Sequence, residues 1–115
     1  MVWAIDFDGV ISANWNHYTQ LAEDLIKNHQ IIYVITACNW KRIGEVKRAL
    51  ERHGFPYTQL ITRPPIFRSS QLIIGMWKQE QAIKYNFDIW FDNEFKDYRL
   101  AGVRFMNIKA TMIQV

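Results

Sequence analysis

The chain has 115 residues, half of them apolar, with five Trp, five Tyr and seven Phe and a formal charge of +3. That is enough for one domain (1–115) with a real core, too short for a second domain and too apolar for a disordered chain. The longest apolar runs, such as Ile31 to Ile35, are strand-sized and far short of a membrane span, and the lone cysteine, Cys38, excludes an intrachain disulfide. A reducing, cytoplasmic setting is therefore expected. No signal peptide is expected before Asp6, because the chain is already in its first strand by Val2. The positive charge favours anionic partners, phosphates among them.

Val2-Trp3-Ala4-Ile5 reads as a buried strand that ends on Asp6-Phe7-Asp8-Gly9. Strand alternation would point Asp6 and Asp8 to the same side. Two like charges so close call for a cation, and paired hard oxygens suit Mg²⁺. The plain alternative is a turn in which one aspartate caps the next segment. A polar, aromatic stretch from Val10 to His17 follows. Tyr18, Leu21, Ala22, Leu25 and Ile26 then recur at helical spacing, giving a helix of about four turns that ends near Asn28-His29.

Ile31 to Ile35 is too apolar for a surface strand and reads as a central parallel one. It stops at Thr36-Ala37-Cys38-Asn39, where Asn39 can cap a second helix with Ile43, Val46, Ala49 and Leu50 on its inner face. Gly54 and Pro56 close that helix. Tyr57 to Thr62 is a third strand, followed by a breaker-rich loop from Arg63 to Ser70. Leu72 to Tyr85 forms a third helix, its start blurred by Gly75. Asp88 to Asp92 is a fourth strand, Glu94 to Leu100 a short helix, and Val103 to Met106 a last strand; the tail to Val115 either adds an edge strand or packs loosely.

Strands alternating with helices imply a central parallel sheet, and ligands of such sheets bind at the carboxyl ends of strands. Asp6 and Asp8, Thr36 and Asp92 all fall at those ends. Three carboxylates, a hydroxyl and a lysine at one sheet edge suit phosphoryl transfer. Asp6 would attack phosphorus, and Asp8 would protonate the leaving oxygen and then activate water. Asp92 would complete a Mg²⁺ shell, Thr36 and the Ala37 amide would hold a phosphate oxygen, and Lys78 would supply positive charge.

With these pieces in this order, the chain resembles the haloacid dehalogenase-like (HAD) phosphatase superfamily. The matching motifs are Asp6-Phe7-Asp8-Gly9-Val10, Thr36 after its apolar strand, Lys78, and Asp92 with Asp97. The resemblance spans Val2 to about Met106. It implies a three-layer α/β/α, Rossmann-like domain, with Asp6 as nucleophile and Asp8 as acid/base. It further implies Mg²⁺ held by Asp6, the backbone carbonyl of Asp8 and Asp92, with Asp97 assisting through water. Thr36-Ala37-Cys38-Asn39, His53 to Tyr57, Thr62-Arg63-Pro64 and the segment from Phe91-Asp92-Asn93 through Tyr98-Arg99 to Gly102-Val103 are similar to the phosphatase domain of polynucleotide kinase/phosphatase enzymes. The chain departs from its relatives at Val10-Ile11-Ser12, where a Thr is usual near the glycine. Asn93 stands where many relatives carry a second acid; it can still ligate Mg²⁺ but brings no charge. Lys84 competes with Lys78 for the third motif.

The chain leaves no room for a cap domain, so the site is expected to be open to a large substrate or closed by a partner subunit. Asn39, Ala37, Arg63 and Arg68 are candidate contacts to phosphate or substrate. Lys41, Arg42, Lys47, Arg48 and Arg52 make the second helix basic, ordinarily a solvated face, though with Arg63 and Arg68 it could guide a nucleic-acid end. Trp15, Trp40 and Phe67 flank the same edge, where a base could stack; Trp3 and Trp90 read as core. His17, His29 and His53 lack metal-ligand spacing, and Cys38 reads as a small buried thiol rather than a nucleophile. The expected activity is a Mg²⁺-dependent phosphomonoester hydrolase acting on a nucleotide or a phosphorylated nucleic-acid end. The alternatives are a non-catalytic phosphate-binding module and a phosphoprotein phosphatase.

Overall fold

The first apolar run becomes the central strand of a parallel sheet in the structure, a computed structural model that describes residues 1–65 and 70–115. Strand β1 (Val2–Asp6) is followed by a wide turn over Phe7–Ile11 and helix α1 (Trp15–Lys27). Then come β2 (Ile31–Thr36), a 3₁₀ turn over Trp40–Arg42 and helix α2 (Ile43–Arg52). The chain continues through β3 (Gln59–Thr62), α3 (Gln71–Lys84), β4 (Ile89–Asp92), α4 (Phe95–Leu100) and β5 (Thr111–Gln114). The sheet order is β3-β2-β1-β4-β5, and every neighbouring pair is parallel.

Alternation along the strands divides the core into two layers. On one face Ile5, Ile32 and Val34 pack with Tyr18 and Ala22 of α1 and Val46 and Leu50 of α2. On the other, Ala4, Ile35 and Trp90 pack with Trp77 and Ala82 of α3 and Phe95 and Tyr98 of α4. The chain is thus an α/β protein whose parallel sheet lies between two helical layers. Among the described residues no helix is long and apolar enough to cross a membrane.

The helix starts follow from short polar side chains that take up otherwise unpaired N–H groups. The Asn14 side chain accepts from the His17 amide, Asn39 from Lys41 and Ser70 from Ile73. Ser70 therefore sets the start of α3, and Gly75 lies well inside it. A Cβ at Gly75 would sit 2.7 Å from Val103 Cγ2 and 2.9 Å from Tyr98 Cβ, so this glycine lets α4 approach α3.

Three boundaries differ from the sequence expectation. The first strand stops at Asp6, and Gly9 adopts φ +79°; Asp8 therefore belongs to the turn and does not share a strand face with Asp6. Strand β3 starts at Gln59 because Thr58 is held by Ile32, through its amide (2.8 Å) and its hydroxyl (3.0 Å). Val103 to Met106 is not a strand. The Val103 amide ends α4 by bonding the Tyr98 carbonyl at 2.9 Å, and Phe105 packs edge-on to Trp90 and Phe95. The tail takes the place beside β4, pairing Thr111 with Ile89 and Gln114 with Asp92.

Because Gly75 is walled in by α4, Gly75→Ala is expected to lower stability by about 1–3 kcal/mol, the usual cost of overpacking, despite alanine's better helix propensity. Urea unfolding would measure it; a stabilised variant would mean that α4 gives way freely.

Candidate active site

The parallel register pairs Ile5 with Phe91, so the next positions, Asp6 and Asp92, end adjacent strands side by side. By alternation both share the face of Ala4 and Trp90, toward α3 and α4. Their side chains are 4% and 0% exposed, and Lys78, from the middle of α3, is only 2% exposed. Unpaired charges at such burial would be very costly. The ammonium solves this by donating to Asp6 Oδ1 at 2.9 Å and to Asp92 Oδ2 at 2.7 Å. It also donates to Tyr98 Oη of α4 at 2.7 Å. The Tyr98 hydroxyl donates onward to Glu94 Oε2 at 3.1 Å, and the Glu94 amide donates to the second Asp92 oxygen at 2.9 Å.

Asp8 has a different setting. The turn lifts it off the sheet, leaving its side chain 46% exposed. The buried Thr36 hydroxyl at the end of β2 donates to Asp8 Oδ2 at 3.2 Å and accepts from the Cys38 amide at 3.3 Å. Arg42, on the 3₁₀ turn, lies 3.7 Å from Asp8 Oδ1. Ser12 secures the turn by accepting from the Gly9 amide at 3.0 Å. A Cβ at Gly9 would collide with the Asn93 side chain, so the glycine is needed both for its positive φ and for this close approach.

These groups surround a recess of about 170 Å³ lined by Asp6, Asp8, Ala37, Cys38, Ile74, Lys78, Glu94 and Tyr98. Two larger grooves, of about 350 and 280 Å³, lie elsewhere and gather no comparable set of carboxylates. Asp6, Asp8, Ala37 and Lys78 thus line one recess, with Thr36 and Asp92 directly behind. Lys84 does not reach it; its ammonium lies over the Tyr85 ring at the far end of α3. Asn39 is exposed and spends its side chain on the cap. Arg63 is buried beyond β3 and is not among the lining residues, and Arg68 and Phe67 lie outside the described residues. Asp97 is exposed on α4, and Glu94 occupies the recess instead. Trp15 stacks on His53 with ring centroids 3.8 Å apart, so its face is already covered, whereas Trp40 is exposed.

Sequence reasoning gives neither Glu94 nor Tyr98 a role in the site. Their four-residue spacing, starting two residues after Asp92, is the signal that places both on one face of a short helix.

Burial pushes the Asp6 carboxyl up to about 8; Lys78 opposes this, while Asp92 and Asp8 reinforce it. For Lys78, burial alone would favour loss of its proton, but Asp6 and Asp92 outweigh it and hold the ammonium charged, well above the usual lysine range. Burial also raises the Tyr98 phenol, which remains a neutral donor.

Among the described residues no three His, Cys, Asp or Glu side chains converge as a metal cage, and Lys78 takes one oxygen from each of the two buried aspartates. The oxygen donors nonetheless suit a hard cation. Beside the Asp6 and Asp92 carboxylates, Asn93 Oδ1 is buried without a hydrogen-bond partner, the kind of oxygen a divalent ion would take up. Comparison with protein-family profiles, curated proteins and solved structures found no match.

The Asp6 shift has a definite sign. Between about 4 and 8 the unfolded chain has lost this proton and the folded chain keeps it, so this group's share of stability is lost as pH rises through that window. A ¹³C carboxyl titration of metal-free protein should find one aspartate with a midpoint near 8, missing from Asp6→Asn. Ordinary midpoints for every aspartate would show that the Lys78 ion pair outweighs burial.

Proposed function

We propose that this protein is a Mg²⁺-dependent phosphomonoester hydrolase of the HAD type that works through an aspartyl-phosphate on Asp6. One observation carries the reading: two aspartates two residues apart serve one recess from opposite environments. Asp6 is buried against Lys78 and Asp92, and Asp8 stands at the mouth, half in solvent and oriented by Thr36. Different settings let one site use two carboxylates in two roles. Burial would keep Asp6 protonated up to about 8, and Mg²⁺, when bound beside it, would favour the ionised form that attacks.

In the reaction, an Asp6 oxygen forms a bond to phosphorus as the bond to the leaving oxygen breaks, and Asp8 gives that oxygen its proton. Asp8, now ionised, takes a proton from water as the water oxygen attacks the aspartyl-phosphate, restoring Asp6 and releasing phosphate. Thr36 keeps Asp8 in place through both steps. Asp6, Asp92 and Asn93, with the Asp8 carbonyl, would hold Mg²⁺, which when bound supplies positive charge for the phosphate oxygens. The open mouth and the basic run from Lys41 to Arg52, with Arg42 nearest the recess, favour a nucleotide or a phosphorylated nucleic-acid end as substrate.

A second reading draws on Lys78, whose contacts with Asp6 and Asp92 form a satisfied ion cluster without any substrate. On that view the domain only binds phosphate. Asp8→Asn separates the two, since a binder keeps its affinity and has no turnover to lose.

Phosphate release from para-nitrophenyl phosphate, nucleotides and 3′- or 5′-phosphorylated oligonucleotides is expected to require Mg²⁺, to stop with EDTA and to vanish in Asp6→Asn. Asp8→Asn should slow it by about 10²–10⁴-fold, the usual worth of general acid–base catalysis. Equal release by wild type and Asp6→Asn on every substrate would dismiss the enzyme.

A further inference from the structure

An ammonium has three hydrogens and accepts nothing. At Lys78 all three are committed, to Asp6, Asp92 and Tyr98, at 2.9, 2.7 and 2.7 Å. None remains for a phosphate oxygen, so the lysine's charge reaches a substrate only through the carboxylates it grips. The direction of that grip depends on Tyr98. Its hydroxyl donates to Glu94 at 3.1 Å, which turns its lone pairs toward the ammonium; Glu94 faces the recess, and its own amide is fixed to Asp92 at 2.9 Å. A Cβ at Gly75 would lie 2.9 Å from Tyr98 Cβ and Cγ, so the glycine leaves room for Tyr98 to pack against α3.

We propose that Tyr98, aimed by Glu94, is a positioning residue that holds the Lys78 ammonium between Asp6 and Asp92 and so sets the orientation of the Asp6 carboxylate for attack. The catalytic part of this rests on the phosphohydrolase reading; the positioning part does not. Tyr98→Phe removes one oxygen and leaves the ring in the core, so it isolates the hydroxyl's role from that of the aromatic body.

The test has two arms on the full chain. In ¹H–¹⁵N spectra of lysine ammonium groups, Lys78 is expected to exchange its hydrogens with water far more slowly than surface lysines do. Tyr98→Phe should speed that exchange about tenfold or more, the scale of losing a hydrogen bond to a charged group, and Glu94→Gln should speed it less. In the kinetic arm, Tyr98→Phe should lower kcat by about tenfold for the same reason and leave KM nearly unchanged, because the hydroxyl is engaged with Lys78 and Glu94 and the ring that lines the recess is kept. A Lys78 ammonium that exchanges like a surface lysine, or equally slowly in wild type and Tyr98→Phe, would overturn the proposal. So would a variant with unchanged kcat or with a change in KM alone. If wild type releases no phosphate, the hydrolase reading falls, and the exchange arm still decides whether Tyr98 holds Lys78.

Discussion

The structure depends on one buried ammonium. Lys78 joins β1, β4, α3 and α4 through three short hydrogen bonds, deep in the layer where Trp77, Trp90, Phe95 and Tyr98 pack. Two carboxylates ending adjacent parallel strands would repel each other and resist burial; with the lysine between them they become a device that ties sheet to helices. A buried cluster of this kind contributes little net stability beside an apolar equivalent, yet removing one member costs about 3–5 kcal/mol, because a buried charge is left without its partner. On the proposed reading, the use of the cluster lies in what it holds ready rather than in what it adds to the fold. Burial with Lys78 between them keeps Asp6 and Asp92 in fixed positions, which is the preorganisation that a reacting carboxylate needs.

The second constraint is the turn at Gly9. Had the first strand continued, Asp8 would have been buried beside Asp6 and would have competed for the same lysine. The turn ends the strand at Asp6, and the positive φ at Gly9 and its contact with Asn93 lodge the loop against the end of β4. Asp8 is thereby delivered to Thr36 and Arg42, toward the helical layer of α2. Asp6 is matched to Lys78 of α3, and Asp8 to Thr36 of β2 and to Arg42 just before α2; both aspartates line the recess.

Much of this was legible in the residues. The apolar runs at Val2 and Ile31 and the helical spacing of Tyr18 to Leu25 are local signals, and the alternation of the two kinds of element is enough to imply a parallel sheet. Strand-terminal acids and Thr36 follow from that sheet, whereas Lys78 is picked out by the order of the motifs, with Lys84 as its rival. What the sequence hid depends on contacts between distant segments. Val103 to Met106 has the composition of a strand, but the slot beside β4 goes to Thr111–Gln114, and Phe105 serves the core as an isolated aromatic. Asp97 fits a motif spacing, yet in so short a helix the inward face belongs to Phe95 and Tyr98. Glu94 was passed over as a helix start, because its importance arises only when α4 packs on α3 across Gly75.

The most direct measurement of the central claim is chemical trapping of the covalent step. Protein turning over a phosphomonoester would be quenched and reduced with borohydride, which converts an aspartyl-phosphate to homoserine, and the residue would be located by peptide mass spectrometry. The account predicts homoserine at position 6, formed only when substrate is present. Phosphate release with Asp6 unmodified, or with the label on Asp8 or Asp92, would contradict it.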